Sequence, residues 1–164
     1  MKYITIIRHA KSSWDNVHLK DIDRPLAERG LKDIPKMGNY LLTNNIAPDI
    51  VLSSPANRAF STAKGICATT NYPIDKIIIQ EKIYYGSAND IVILIEQLDN
   101  LYNDVFVFGH EPKCSYLIEI LTGEWINHFP TCAVFRIAFD CNDWKQLNNT
   151  TGKKVFFVYP KILK

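Results

Sequence analysis

The chain has 164 residues, 47% apolar and 22% charged, which suits one globular domain (residues 1–164) with a sizeable buried core. A net charge of +2 is too small to argue for a nucleic-acid partner or a membrane surface, and the apolar runs are far too short to cross a bilayer. The start lacks the basic and long apolar regions of an export signal, and Cys67, Cys114, Cys132 and Cys141 form no C-x-x-C pair. Reduced thiols and a cytoplasmic location are therefore expected. The basic end (Lys153, Lys154, Lys161, Lys164) reads as solvated surface rather than a docking patch.

In chain order, Lys2–Ile7 is rich in β-branched residues and predicts a first strand. Leu31, Ile34, Met37 and Leu41 share a helical face, and Pro35 inside it predicts a bend or a late start. Asp49–Ser53 predicts a short strand and Asn57–Thr69 a helix with small packing residues. Lys76–Gln80 follows as a strand, then Ala88–Leu101 as a helix capped by Asn89. Asp104–Gly109 is a continuous apolar strand, buried on both faces. Lys113–Leu121 predicts a helix closed by Gly123. Cys132–Phe139 and Lys154–Tyr159 are two further strands, paired antiparallel, with a turn region at 142–152. This alternation implies an α/β fold, a three-layer α/β/α sandwich on a mainly parallel sheet.

In such sheets ligands bind beyond the C-terminal ends of the strands. The first strand ends at Arg8-His9, the second at Ser53-Ser54-Pro55 ahead of Arg58, and the fourth at Gly109-His110. Two arginines and two histidines thus converge on one sheet edge. Guanidinium forks bind phosphoryl oxygens in pairs, and a neutral imidazole is a competent nucleophile near neutral pH. A helix N-terminus after Pro55 adds backbone donors for an anion. The alternative for each residue alone is a structural or solvated side chain.

Competing chemistries fail on spacing. No cysteine is followed six positions later by arginine, and there is no phosphate-binding glycine loop, G-x-S-x-G or H-E-x-x-H. No cysteine–histidine cluster has zinc spacing. Asp21-Ile22-Asp23 follows no apolar strand and reads as structural or rim.

Arg8-His9-Ala10-Lys11-Ser12 resembles the Arg-His-Gly signature of the histidine phosphatase superfamily, the phosphoglycerate-mutase-like fold. The later pieces follow in the family's order: Asp23-Arg24-Pro25-Leu26 with Arg29-Gly30, Ser53-Ser54-Pro55-Ala56 with Arg58-Ala59 and Thr62-Ala63, and Gly109-His110 with Pro112. Pro130-Thr131 completes the set. The short length and the Arg-His-Ala-Lys-Ser-Ser-Trp opening resemble the SixA-type phosphohistidine phosphatases.

The resemblance implies His9 as nucleophile and Arg8, Arg58 and His110 as the phosphate pocket, with no metal and no organic cofactor needed, and Ser12 either near the phosphate or capping local backbone. It implies Glu81 as a possible acid, with Asp23 a weaker candidate and an exposed strand-end charge as Glu81's alternative. Ala10 replaces the usual glycine, and Glu111 stands where Asn is common and is expected to point outward. Asp15 weakens the case for a phosphoglycerate-like substrate. Trp14 is expected over the pocket rim, Tyr84 and Tyr85 at its mouth or elsewhere, and His18, His128, Trp125 and Trp144 outside it. The expected substrate is phosphohistidine on a partner protein. The alternatives are a small phosphorylated metabolite, or a non-catalytic phosphoprotein-binding module.

Overall fold

Lys2–Arg8 forms β1, the strand that organises the domain. The computed structural model describes residues 1–163. The other strands are β2 (Ile50–Ser53), β3 (Ile78–Ile79), β4 (Asp104–Gly109), β5 (Val134–Phe139) and β6 (Lys153–Val158). They form one sheet in the order β3-β2-β4-β1-β5-β6. The pairs β1–β4, β2–β4 and β2–β3 are parallel, whereas β5 runs antiparallel to both β1 and β6. The sheet is therefore mixed, parallel from β3 through β2 and β4 to β1.

The helices are α1 (Glu28–Thr43), α2 (Asn57–Thr69), α3 (Glu81–Tyr85), α4 (Ala88–Glu96) and α5 (Lys113–Thr122). Strand side chains alternate between two cores, as a period of two requires. Ile50, Leu52, Val105 and Val107 face α4 and α5, while Val51, Phe106 and Phe108 face α1 and α2. Both faces are covered, which makes three layers. Two cations are buried within this frame and fully engaged. Lys2 donates to the carbonyls of Asn100 and Tyr102 and to Asn103 Oδ1. Arg136 reaches Thr5 Oγ1 at 2.7 Å and pairs with Asp104 at 2.6 Å.

Several expectations need correction. Helix α1 begins at Glu28 and runs through Pro35, so there is no late start. Pro35 lies on the exposed side, as does Leu31, whose carbonyl the missing N–H would have met. Water can satisfy that oxygen there. Leu31 is 59% exposed and does not share the buried face of Ile34, Met37 and Leu41. Ser87, not Asn89, caps α4: its Oγ accepts from the Asp90 N–H, and Asp90 returns a bond to the Ser87 N–H. That helix ends at Glu96 rather than Leu101. The third strand shrinks to two residues, because Gln80 already leads into α3, a helix the sequence pattern did not reveal. The fifth strand starts at Val134, since Cys132 is in the left-handed region at φ 60°.

One close approach ties the fold to the site. A Cβ on Gly30 would collide with the main chain of Lys11, two residues beyond His9. Gly30→Ala is thus expected to cost about 1–3 kcal/mol of stability, the usual penalty for overpacking, and a urea midpoint would read it. An unchanged midpoint would mean that the Lys11 segment yields freely.

Candidate active site

Three adjacent parallel strands deliver the site at their C-terminal ends. His9 follows β1, Ser54 follows β2 and His110 follows β4. The backbone splices these ends together: the His9 N–H donates to Gly109 O at 3.0 Å, and the Ser54 N–H to Phe108 O at 3.0 Å. Thr62 on α2 fixes the next step, accepting from the Ala10 N–H at 2.9 Å and donating to Arg58 O at 2.7 Å.

His9 is only 7% exposed. Its Nδ1 lies 2.8 Å from Ala10 O. A carbonyl can only accept, so Nδ1 carries the proton and Nε2 keeps its lone pair in the neutral ring. His110 sits beside it, ring centroids 5.2 Å apart, with Nε2 2.7 Å from Ser54 Oγ. Arg8 donates to Phe129 O at 2.8 Å. Among the described residues, the buried side-chain polar atoms without a partner are Arg8 Nε and His110 Nδ1, and both belong to this cluster.

Arg58 is buried and spends its fork on one residue, reaching Asp21 O at 2.7 Å and Asp21 Oδ2 at 3.0 Å. Tyr84 OH donates to the same Oδ2 at 2.6 Å, and Arg24 pairs with Oδ1 at 3.3 Å. Arg24 also donates to Ser12 Oγ at 2.6 Å and lies over the Trp14 ring. The Lys11–Ser13 segment pairs with Pro25–Ala27, which carries Asp21 and Arg24 back over the strand ends. Lys113 holds the carbonyls of Ile83 and Tyr84 and so steadies the tyrosine.

Electrostatics follow from this packing. Burial pushes the His9 imidazole down to about 4, with Arg58, Arg8 and Arg24 adding to the shift and the Ala10 bond opposing it. Burial likewise takes His110 to about 3, helped by His9, Arg58 and Lys113. The Tyr84 hydrogen bond, then Arg58 and Arg24, hold the Asp21 carboxyl at about 2. Near neutral pH the cluster presents two neutral imidazoles, the three guanidiniums of Arg8, Arg24 and Arg58, and the ionised carboxylate of Asp21.

A pH consequence follows for activity. The profile of kcat/KM, corrected for the substrate's own titration, should hold its plateau down to pH 5 and fall only near 4, reporting the histidine pair together. An acid limb above pH 6 would show that the imidazoles are not kept neutral by burial. Stability follows the same sign. Unfolded, these groups take a proton near 6.5, but folded they resist until about 4 and 3. Their contribution is full above 6.5 and is lost as pH falls toward those values.

The structure brings Arg8, His9, Arg58 and His110 together, with Ser12 one step behind through Arg24. Glu81 is exposed on the first turn of α3, in no hydrogen bond or ion pair with these residues, and Asp23 is exposed as well. Glu111 is turned to α5, where its carboxylate accepts from the Ser115 N–H and hydroxyl. Asp15 is exposed on the rim and Tyr85 is largely solvated, whereas Tyr84 meets His110 edge-on at 5.4 Å. Trp125 packs on Tyr116, and Trp144 is fully buried beneath Lys2. His18 and His128 are exposed. Sequence reasoning assigned no role to Arg24 or Ser54 and read Asp21 as structural or rim. Among the described residues, no group of three or more His, Cys, Asp or Glu is placed to hold a metal ion, and no helix is long and apolar enough to cross a membrane.

A sheet of this order, with paired histidines and arginines at its strand ends, defines a class. The model of the histidine phosphatase superfamily (branch 1) matches residues 4–86, and the chain belongs to that superfamily and is a phosphatase. It lies close to SixA: it is 27% identical to the phosphohistidine phosphatase SixA of Escherichia coli over 139 residues, 84% of this chain and 85% of that protein. The structure of the protein histidine phosphatase SixA complexed with tungstate superposes with a TM-score of 0.86 at 25% identity, covering 99% of both chains. An uncharacterized protein of Mycobacterium leprae is 30% identical over 171 residues, 94% of this chain and all of that one.

Proposed function

We propose that the chain removes phosphate from phosphohistidine on a partner protein, through a covalent intermediate on His9. The carrying observation is that the orphaned buried polar atoms, Arg8 Nε and His110 Nδ1, both flank a histidine whose Nε2 is free to attack. An oxyanion accepting from them would satisfy groups that are costly to leave unpaired. In this reading His9 Nε2 bonds to phosphorus as the substrate's P–N bond breaks, and the freed imidazole nitrogen keeps the electron pair and takes a proton. Water then attacks the phosphorus and releases His9. Arg8, Arg58 and His110 hold the phosphoryl oxygens, and Ser12 positions Arg24. The reading gives no step to Glu81 and routes none through a metal.

Asp21 supports the choice of substrate. An ionised carboxylate over the phosphate-binding guanidinium opposes polyanionic metabolites, and it favours a leaving group that departs protonated, as imidazole does at neutral pH. Four free, buried cysteines support a reducing, cytoplasmic setting.

The test compares kcat/KM on a phosphohistidine-bearing protein with a panel of small phosphomonoesters, in chelator, with His9→Ala as the blank. Preference for the phosphoprotein is expected. Preference for an ester would make this a metabolite phosphatase, and binding without turnover would make it a phosphoprotein-binding module. Asp21→Asn, which keeps hydrogen-bonding capacity but loses the charge, should raise kcat/KM about fivefold on esters that carry a second anionic group, without a matching gain on phosphohistidine. Equal gains on both would remove Asp21 from substrate choice.

A further inference from the structure

A concave surface is built partly from the segment that holds Arg8 and His9. It is a groove of about 480 Å³ between the first turns of α1, the 128–131 segment and the turn at Pro160-Lys161. Arg29, Lys36, Lys161 and His128 line it, with Asp33 as its acidic residue. Asp33 lies 4.0 Å from Arg29 and 3.9 Å from Lys36, at the outer limit of ion pairing. One carboxylate offsets at most one of three permanent cations, so the groove keeps a positive surplus. In a chain whose whole net charge is +2, that is a local concentration of charge.

The groove shares a wall with the site. Thr131 accepts from Arg29 at 3.3 Å and precedes Cys132, whose N–H donates to His9 O at 3.0 Å. Phe129 O receives the Arg8 guanidinium. On the other side Arg29 precedes Gly30, which rests on the main chain of Lys11. The groove and the site are thus joined through the 129–132 segment and through the contact of Gly30 on Lys11.

We propose that this groove docks an acidic stretch of the phosphohistidine-bearing partner, next to the modified histidine. The inference rests on the phosphohistidine reading above and adds the partner's chemistry: carboxylates flanking the target. Rim charges of this kind act on encounter and on KM rather than on the chemical step, and salt weakens them.

The probes are two phosphohistidine peptides, one flanked by Asp and Glu and the other by Asn and Gln, together with phosphoramidate as a small phosphoryl donor. The wild type at low ionic strength should prefer the acidic peptide about tenfold in kcat/KM, mainly through KM, and lose the preference in high salt. The triple variant Arg29→Glu, Lys36→Glu, Lys161→Glu should abolish or invert the preference while hydrolysing phosphoramidate within twofold of wild type. The milder triple glutamine variant, expected to keep the wild-type melting temperature, should lose the preference as well. Equal rates on both peptides, or a preference that survives charge reversal, would overturn the docking proposal and leave the phosphohistidine reading standing. Turnover of phosphomonoesters with none of either peptide would overturn the phosphohistidine reading, and the docking proposal with it.

Discussion

His9→Ala is expected to lower phosphate release by at least about 10⁴-fold, the scale on which removal of a covalent nucleophile is felt. The same variant should melt within a few degrees of the wild type. The His9 side chain makes one hydrogen bond, to the carbonyl of the next residue, and the strand behind it is held by backbone bonds that alanine retains. Reactions with labelled substrate, quenched in alkaline detergent because a P–N bond survives base but not acid, should trap phosphate on the wild type and none on the variant. A variant that keeps turnover would exclude His9 as nucleophile. One that loses turnover but still traps label would place the attacking group elsewhere.

Arg58→Ala carries the second large effect. Arg58 is buried, and its fork is held by the half-exposed carboxylate of Asp21 at 3.0 Å. Losing one preorganised anion-stabilising donor costs on the order of 3–4 kcal/mol, or 10²–10³-fold in kcat. The backbone of α2 should survive, because the Thr62 hydroxyl bonds the Arg58 carbonyl rather than its side chain. Release of Asp21 should also make Arg58→Ala less sensitive than the wild type to a further Asp21→Asn change, a coupling that a double-mutant cycle reads directly. Additive effects would separate the two residues.

Much of this site was legible in the sequence because its parts sit at strand ends. Lys2–Arg8 and Asp104–Gly109 are continuous β-branched or apolar runs, so their termini, and with them His9 and His110, could be located to within a residue. Asn57–Thr69 emerged with its observed bounds, which placed Arg58 on the first turn after the second strand. Asp21 and Arg24 were harder. They lie in a loop with no periodicity, and their importance comes from where that loop folds back, through the pairing of Ser12 with Leu26. Only Asp23-Arg24-Pro25-Leu26, as a motif fragment, hinted at it. The same limit explains the misplaced cap of α4, where Ser87 and Asn89 are both good capping residues and the reciprocal Asp90 bond decides between them. It also explains Leu31, whose spacing fits the buried face although the packed neighbour is absent on that side.

The order of the sheet bears on how the protein comes to be active during folding. β1 and β4 are neighbours, with Tyr3 opposite Asp104 and Arg8 opposite Gly109, although about a hundred residues separate them along the chain. His9 and His110 therefore meet only after that long loop has closed, a slow step in chains dominated by distant contacts. Helices α2 and α5 can gain structure locally long before then. Recovered turnover is thus a late signal, arriving with completion of the sheet rather than with the first helical ellipticity.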